Sequence, residues 1–156
     1  MDNGKNDYRF LFNNEEKRTT IINEMEKYLN VNLQEIEKLW KETGRIEKTP
    51  QKFNDYSQNV LKEMQKLNEE LRKFSDLKNE SFKKDVNTLL GLESENYKIT
   101  LGIFINKLNC FELLKNDEDD FKLLKQEKEI ALLKQNLVSI REEINDFITN
   151  LKYKYL

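Results

Sequence analysis

The chain contains no histidine, one cysteine (Cys110), one proline (Pro50) and four glycines in 156 residues. Without histidine, the commonest general base and the commonest metal ligand are both missing. A single cysteine cannot close an intrachain disulfide. Cys110, inside the apolar stretch KLNCFELL, reads as a packed or half-exposed helix residue rather than a nucleophile. So little glycine and proline leaves little material for turns, so the elements should be few and long. No apolar run approaches the ~20 residues that a membrane helix requires. The start, MDNGKNDYRFLF, is too polar for a secretory signal. Cytosol or nucleus is therefore the expected compartment, with no membrane partner. Acidic and basic residues are mixed along the whole length, to a net charge of −2. No basic block offers a phosphate-neutralising footprint, so no nucleic-acid partner is expected. There is no glycine-rich phosphate loop, no Cys/His metal spacing and no nucleophile–base set. The expectation is a non-enzyme with no cofactor and no bound metal.

What is present is charge and helical period. Charged residues make up 36% of the chain and hydrophobic residues 37%, with a mean hydropathy of −0.85, the composition of long exposed helices or a coiled coil. Nine Phe and six Tyr, with apolar residues recurring at helical spacing, argue against disorder. Residues 1–18 read as a polar, partly flexible arm in which Tyr8, Phe10, Leu11 and Phe12 dock a few aromatics. A single elongated domain is expected over 19–156, with helices at about 19–43, 50–90, 96–115 and 118–154.

The first helix should begin at Thr19 or Thr20, either of which can cap it. Ile22, Met25, Leu29, Ile36 and Leu39 step by three and four once Asn32 is counted, and Leu33 and Trp40 widen the stripe. Gly44 is a natural stop, and Thr49-Pro50 a natural restart. The second helix carries Phe53, Tyr56, Val60, Met64, Leu67, Leu71 and Phe74. It slips phase over 77–82, resumes at Val86, Leu89 and Leu90, and ends at Gly91. About 40 residues of helix would span roughly 60 Å. Residues 97–111 carry two patterns. Tyr97, Leu101, Phe104, Leu108 and Phe111 keep a heptad, whereas Tyr97, Ile99, Leu101, Ile103 and Ile105 alternate as a strand would. Helical neighbours on both sides favour helix. The run NDEDD at 116–120 lacks the alternation and glycine of a calcium loop, and reads as an exposed turn or an acidic first turn.

The fourth helix has the cleanest period: Ile130, Leu133, Leu137, Ile140, Ile144, Phe147 and Leu151. Such narrow seams bury a thin line rather than a thick core. The chain must therefore fold back on itself, pair with another chain, or do both. The expected architecture is all-α, an elongated hairpin or bundle of long amphipathic helices with coiled-coil character. Protein partners should meet it through the helical seams, as a homodimer or in a hetero-oligomer; the mix of Ile and Leu does not fix the oligomeric state. The candidate interaction residues are Leu33, Ile36, Leu39 and Trp40 in one stretch, and Ile130, Leu133, Leu137, Ile140, Ile144 and Phe147 in the other.

Residues 33–44, LQEIEKLWKETG, hold the only Trp and resemble the N-terminal segment of the protein-regulator-of-cytokinesis family of microtubule crosslinkers. Leu33, Glu35, Ile36, Leu39, Trp40, Glu42 and Gly44 occupy that family's pattern, and VNTLLGL at 86–92 matches a later aliphatic stretch. The resemblance implies a dimerisation module on a helical rod, placed on the spindle or microtubule cytoskeleton. The family's microtubule-binding domain and basic tail do not fit within these 156 residues, so microtubule contact is expected to be indirect. Residues 94–106, SENYKITLGIFIN, resemble a small coiled-coil subunit of intraflagellar transport. The alternative expectation is an accessory coiled-coil subunit of a hetero-oligomeric kinetochore, tethering or intraflagellar-transport complex.

Overall fold

The computed structural model describes residues 8–44, 50–115 and 120–156. They form four helices: α1 (Arg9–Thr43), α2 (Pro50–Asp76), α3 (Glu80–Lys115) and α4 (Asp120–Tyr155). No strand occurs among the described residues. The expected all-α bundle is what the chain builds. Successive helices run antiparallel, because the start of α1 packs with the end of α2, the start of α3 and the end of α4. No helix of the described residues is long and apolar enough to cross a membrane.

Hydrophobic burial occurs in two clusters separated along the bundle axis. At one end Leu11, Leu71, Phe82, Val86, Leu89, Leu90 and Leu151 bring all four helices together. Phe82 is the hub of this end, with its ring near Tyr8, Phe74 and Tyr155. Further along, Ile22, Met25, Leu29, Leu33, Val60, Met64 and Phe104 join α1, α2 and α3. Each fully buried side chain of this kind contributes roughly 1.5–3 kcal/mol.

The helices α1, α2 and α3 touch one another to a similar extent, whereas α4 makes by far its closest approach to α3. The α3–α4 hairpin is held in register along its length. Asp85 accepts from Lys154 and from the Tyr155 hydroxyl. Asn96 accepts from Arg141 at 3.1 Å, and Asn106 from Gln126. Between them, a Cβ placed on Gly102 would lie 3.8 Å from Leu133 Cδ1, so Leu133 packs in the space the missing side chain leaves.

Three expectations are corrected. First, residues 9–18 are not an arm but the first turns of α1. After Leu11 the seam continues through them in polar side chains: Asn14, Glu15 and Arg18 are all buried ahead of Ile22. Thr20 is interior, and its hydroxyl donates to the Glu16 carbonyl at 3.0 Å, the usual resort of a mid-helix threonine. Second, the slip at 77–82 is a chain reversal. Asn79 Oδ1 accepts the Phe82 N–H at 2.9 Å, an N-cap bond to the third helical residue. Leu77 and Lys78 N–H close the end of α2 onto the Phe74 and Ser75 carbonyls. Third, α3 runs straight through Gly91, which is exposed there.

Residues 97–111 are helical. The heptad prevails over the alternation because Tyr97, Leu101, Leu108 and Phe111 pack on the second cluster, while Ile105 is exposed. Gly44 ends α1 as expected: its φ is +67°, and its N–H donates to the Trp40 carbonyl at 2.8 Å. The linker 45–49, with the cap expected at Thr49, and residues 116–119 of the acidic run lie outside the described residues.

Two substitutions test these assignments by urea unfolding. Asn79→Ala should lower stability by about 1 kcal/mol, as loss of an N-cap does. Gly91→Ala should raise it by about 0.5–1 kcal/mol, because a Cβ there meets nothing within 4 Å.

Candidate functional site

The chemistry-bearing side chains lie between the two hydrophobic clusters. Arg18, fully buried, lies at the centre of this polar layer. Its Nη1 donates to Glu15 Oε2 at 3.0 Å and its Nη2 to Asn14 Oδ1 at 2.7 Å. Nε and Nη2 also reach Asn68 Oδ1 on α2, at 3.1 and 2.9 Å. Asn14 in turn donates from Nδ2 to the Leu67 carbonyl at 2.9 Å. Three polar side chains on two helices are thus fixed by one guanidinium, whose planar fork suits several acceptors at once.

From α3, Glu93 enters the same layer. Glu15 Oε1 and Glu93 Oε2 are buried and have no hydrogen-bond partner among the described residues. Burial and the mutual repulsion of the two carboxylates favour a single proton shared by the pair. Burial pushes the Glu15 carboxyl up to about 9, the Glu93 charge adds to the rise, and Arg18 opposes it. Burial also raises Glu93, against the pull of its hydrogen bond from Glu15 and of Arg18. Next along α3, Asn96 and Thr100 accept from Arg141 of α4, at 3.1 and 3.3 Å. Arg141 also pairs with Glu26 of α1.

Arg141 and Glu26 stand at the closed end of a groove between α1 and α4, floored by α3. The groove has a volume of ≈ 360 Å³, within the range of small-ligand and peptide sites. Leu29 and Leu33 line it from α1, Ile103 and Phe104 from α3, and Leu137 and Val138 from α4, with Lys107 of α3 and Lys134 of α4 beside them. Burial lowers the affinity of Lys107 for its proton, the Lys134 charge does the same, and Glu26 acts against both. Burial raises the Cys110 thiol, and Glu127 raises it further, so the thiolate is disfavoured.

The expected interaction residues divide between interior and groove. On α4, Ile130, Leu137 and Ile144 are buried, while Leu133, Ile140 and Phe147 are half-buried. That seam is closed within the chain, onto α3 and, at Phe147, onto the first cluster. In α1, Leu33 and Ile36 are buried, and Leu39 and Trp40 half-buried. The structure brings Leu33 and Leu137 together in the groove. It places Ile144 and Phe147 elsewhere, toward the opposite end.

Sequence reasoning missed the polar layer. Its signal was readable as charged residues at seam positions. Glu15 and Arg18 continue the three–four steps from Leu11 to Ile22, and Glu93 and Asn96 do so from Leu89 to Thr100. No family model, curated protein or solved structure matches the chain.

The shared proton predicts a pH dependence. An unfolded glutamate loses its proton near 4.5, while folded Glu15 keeps it to about 9. Between these values the folded state binds the extra proton. Its contribution is therefore complete below the lower value and is lost as pH rises toward the upper, with a slope of up to about 1.4 kcal/mol per pH unit. Glu15→Gln keeps a neutral donor at this position. It should flatten the decline and leave the protein more stable than wild type at mildly alkaline pH, read from urea midpoints across the range.

Proposed function

We propose that the chain is a non-enzymatic helical scaffold that acts within a protein assembly, with the microtubule or spindle cytoskeleton as its setting. The observation that carries the scaffold reading is the apolar surface left over once both clusters are closed. Phe121, Leu124, Leu132 and Val138 are exposed along α4, and Leu114 at the end of α3. Exposed apolar residues concentrated on one long element are the usual mark of an interaction face. The buried polar groups act on one another, so their visible use is to hold the bundle. The cytoskeletal setting is supported by the seven matching positions of 33–44, whose Leu39 and Trp40 are incompletely buried. In this reading the chain self-associates and reaches microtubules through its partners.

The second reading, an accessory subunit of a hetero-oligomeric kinetochore, tethering or transport complex, is favoured by the open groove between α1 and α4. A chain that closes its own seams and leaves a groove unfilled suits association with a different protein.

Light scattering on the purified chain, followed by co-sedimentation with microtubules in the presence and absence of cell extract, tests the two. The cytoskeletal reading expects a dimer at micromolar concentration that sediments with microtubules only when extract is present. A monomer that never sediments would remove it and leave the accessory-subunit reading. A chain that stays monomeric and joins no larger complex in extract would remove both.

A further inference from the structure

The groove between α1 and α4 is longer than its first cavity. A second cavity of ≈ 370 Å³ shares Asn30, Leu33 and Lys107 with it and extends to Glu37 and Phe111. Along α3 the two run from Thr100 to Phe111, which at ~1.5 Å per residue is roughly 17 Å, or about three helical turns. The lining residues of α1 recur at Glu26, Asn30, Leu33 and Glu37; the next step of this stripe is Trp40. On α4 the stripe through Arg141, Val138 and Lys134 continues by the same steps toward Leu124. The groove therefore points from the Arg141–Glu26 pair toward the end of the bundle where Trp40, Leu114 and Leu124 are incompletely covered. Val138, on its lip, is 59% exposed.

The charges on the walls do not balance. Glu26 is engaged by Arg141 and Glu37 by Lys41. Lys107 and Lys134 have no ion-pair partner among the described residues and stand close enough to repel each other. An apolar floor with two unpaired cations side by side, Lys107 on α3 and Lys134 on α4, is complementary to an occupant with an apolar face and an acidic edge. A second copy of this chain fits poorly, because along its exposed apolar stripe on α4, at Leu124 and Leu132, Glu127 and Glu129 are balanced by Lys125 and Lys128, so it offers no net acidic edge. A groove of three turns between two helices is the form that receives a helix.

We propose that this groove receives one amphipathic helix of a partner protein, its apolar face on Ile103, Phe104 and Val138 and its acidic edge between Lys107 and Lys134. This rests on the scaffold reading and names the partner's chemistry. The incoming helix occupies the place beside α3 that α4 leaves open along α1, and its far end reaches Trp40, a residue type that often anchors interfaces.

The test titrates the full chain with two synthetic helical peptides that share the same leucine face. One carries glutamates on its edges and the other lysines; binding is followed calorimetrically and by Trp40 emission. The acidic peptide should bind and the basic one should not. Lys107→Glu/Lys134→Glu should reverse the preference, and Val138→Asp should weaken the acidic peptide about tenfold or more; an unchanged urea midpoint shows that each variant is folded. Equal binding of both peptides, binding of neither, or a preference unaltered in the double variant would overturn the proposal. So would a dimer that Val138→Asp dissolves, which would make a second copy the occupant, or competition by dodecanoate with no peptide binding, which would make it a small amphipathic anion. An assembly seen by light scattering that Val138→Asp and the double variant leave intact would keep the scaffold reading while removing the groove as its site.

Discussion

The guanidinium of Arg18 is the interaction on which the rest of the bundle depends. Moving a charged side chain out of water costs several kcal/mol even after relaxation, and only close partners offset it. Arg18 has them on two helices: Glu15 and Asn14 on its own, and Asn68 across on α2. Through Glu15 the same layer includes Glu93 of α3, and through Asn96 and Arg141 it reaches α4. A slide of α1 by two turns would set Arg18 against Val60 and Met64 in one direction, or against Leu71 and Phe82 in the other. The apolar seams alone would tolerate such a slide, since leucine and isoleucine pack acceptably one heptad out of register. The polar layer does not tolerate it, and this is the physical reason one alignment of four long helices is preferred.

The layer also divides the bundle into unequal parts. Toward the Phe82 end all four helices share one apolar cluster, with Leu151 and Phe147 of α4 included. Toward the other end the cluster of Ile22, Met25, Leu29 and Phe104 is built from α1, α2 and α3 only. The fourth helix continues along α3 there, but α1 does not close on it. The pair Arg141–Glu26 marks the transition. On one side α4 is part of a four-helix core, and on the other it is the second arm of a hairpin beside a three-helix core. The groove is the consequence of that change in packing.

Much of this was legible as period. The seam of α4 and the heptads of α2 and α3 were readable because every step lands on an apolar residue. So was the stop at Gly44, where only the left-handed backbone of a glycine suits the close of the helix. The illegible parts have physical causes. The start of α1 was hidden because its seam passes through Asn14, Glu15 and Arg18, which hydropathy alone counts as surface. The reversal at 77–79 was hidden because it uses an Asn79 cap and two backbone bonds rather than glycine or proline. Gly91 misled because an exposed glycine in a helix costs only ~1 kcal/mol relative to alanine, which the burial of Val86, Leu89 and Leu90 beside it exceeds. At the candidate site, Leu33 and Leu137 were readable as seam residues. Lys107 and Lys134 were not, because their pairing depends on the register between α3 and α4, which no single-helix pattern contains.

That register ties the groove to the polar layer. Arg141 belongs to both: it donates inward to Asn96 and Thr100, and outward to Glu26 at the closed end of the groove. One turn and two turns before it on α4 come Val138 and Lys134, and the same register places Lys134 across from Lys107. Any shift of α4 along α3 that relieved the repulsion between these lysines would pull Arg141 from its three acceptors. The mutual repulsion of Lys107 and Lys134 is thus held in place by stronger, more buried bonds elsewhere in the same hairpin. A groove whose cations are fixed in this way is preorganised for an anionic edge, since the cost of bringing the two charges together is met on folding and need not be met again on binding.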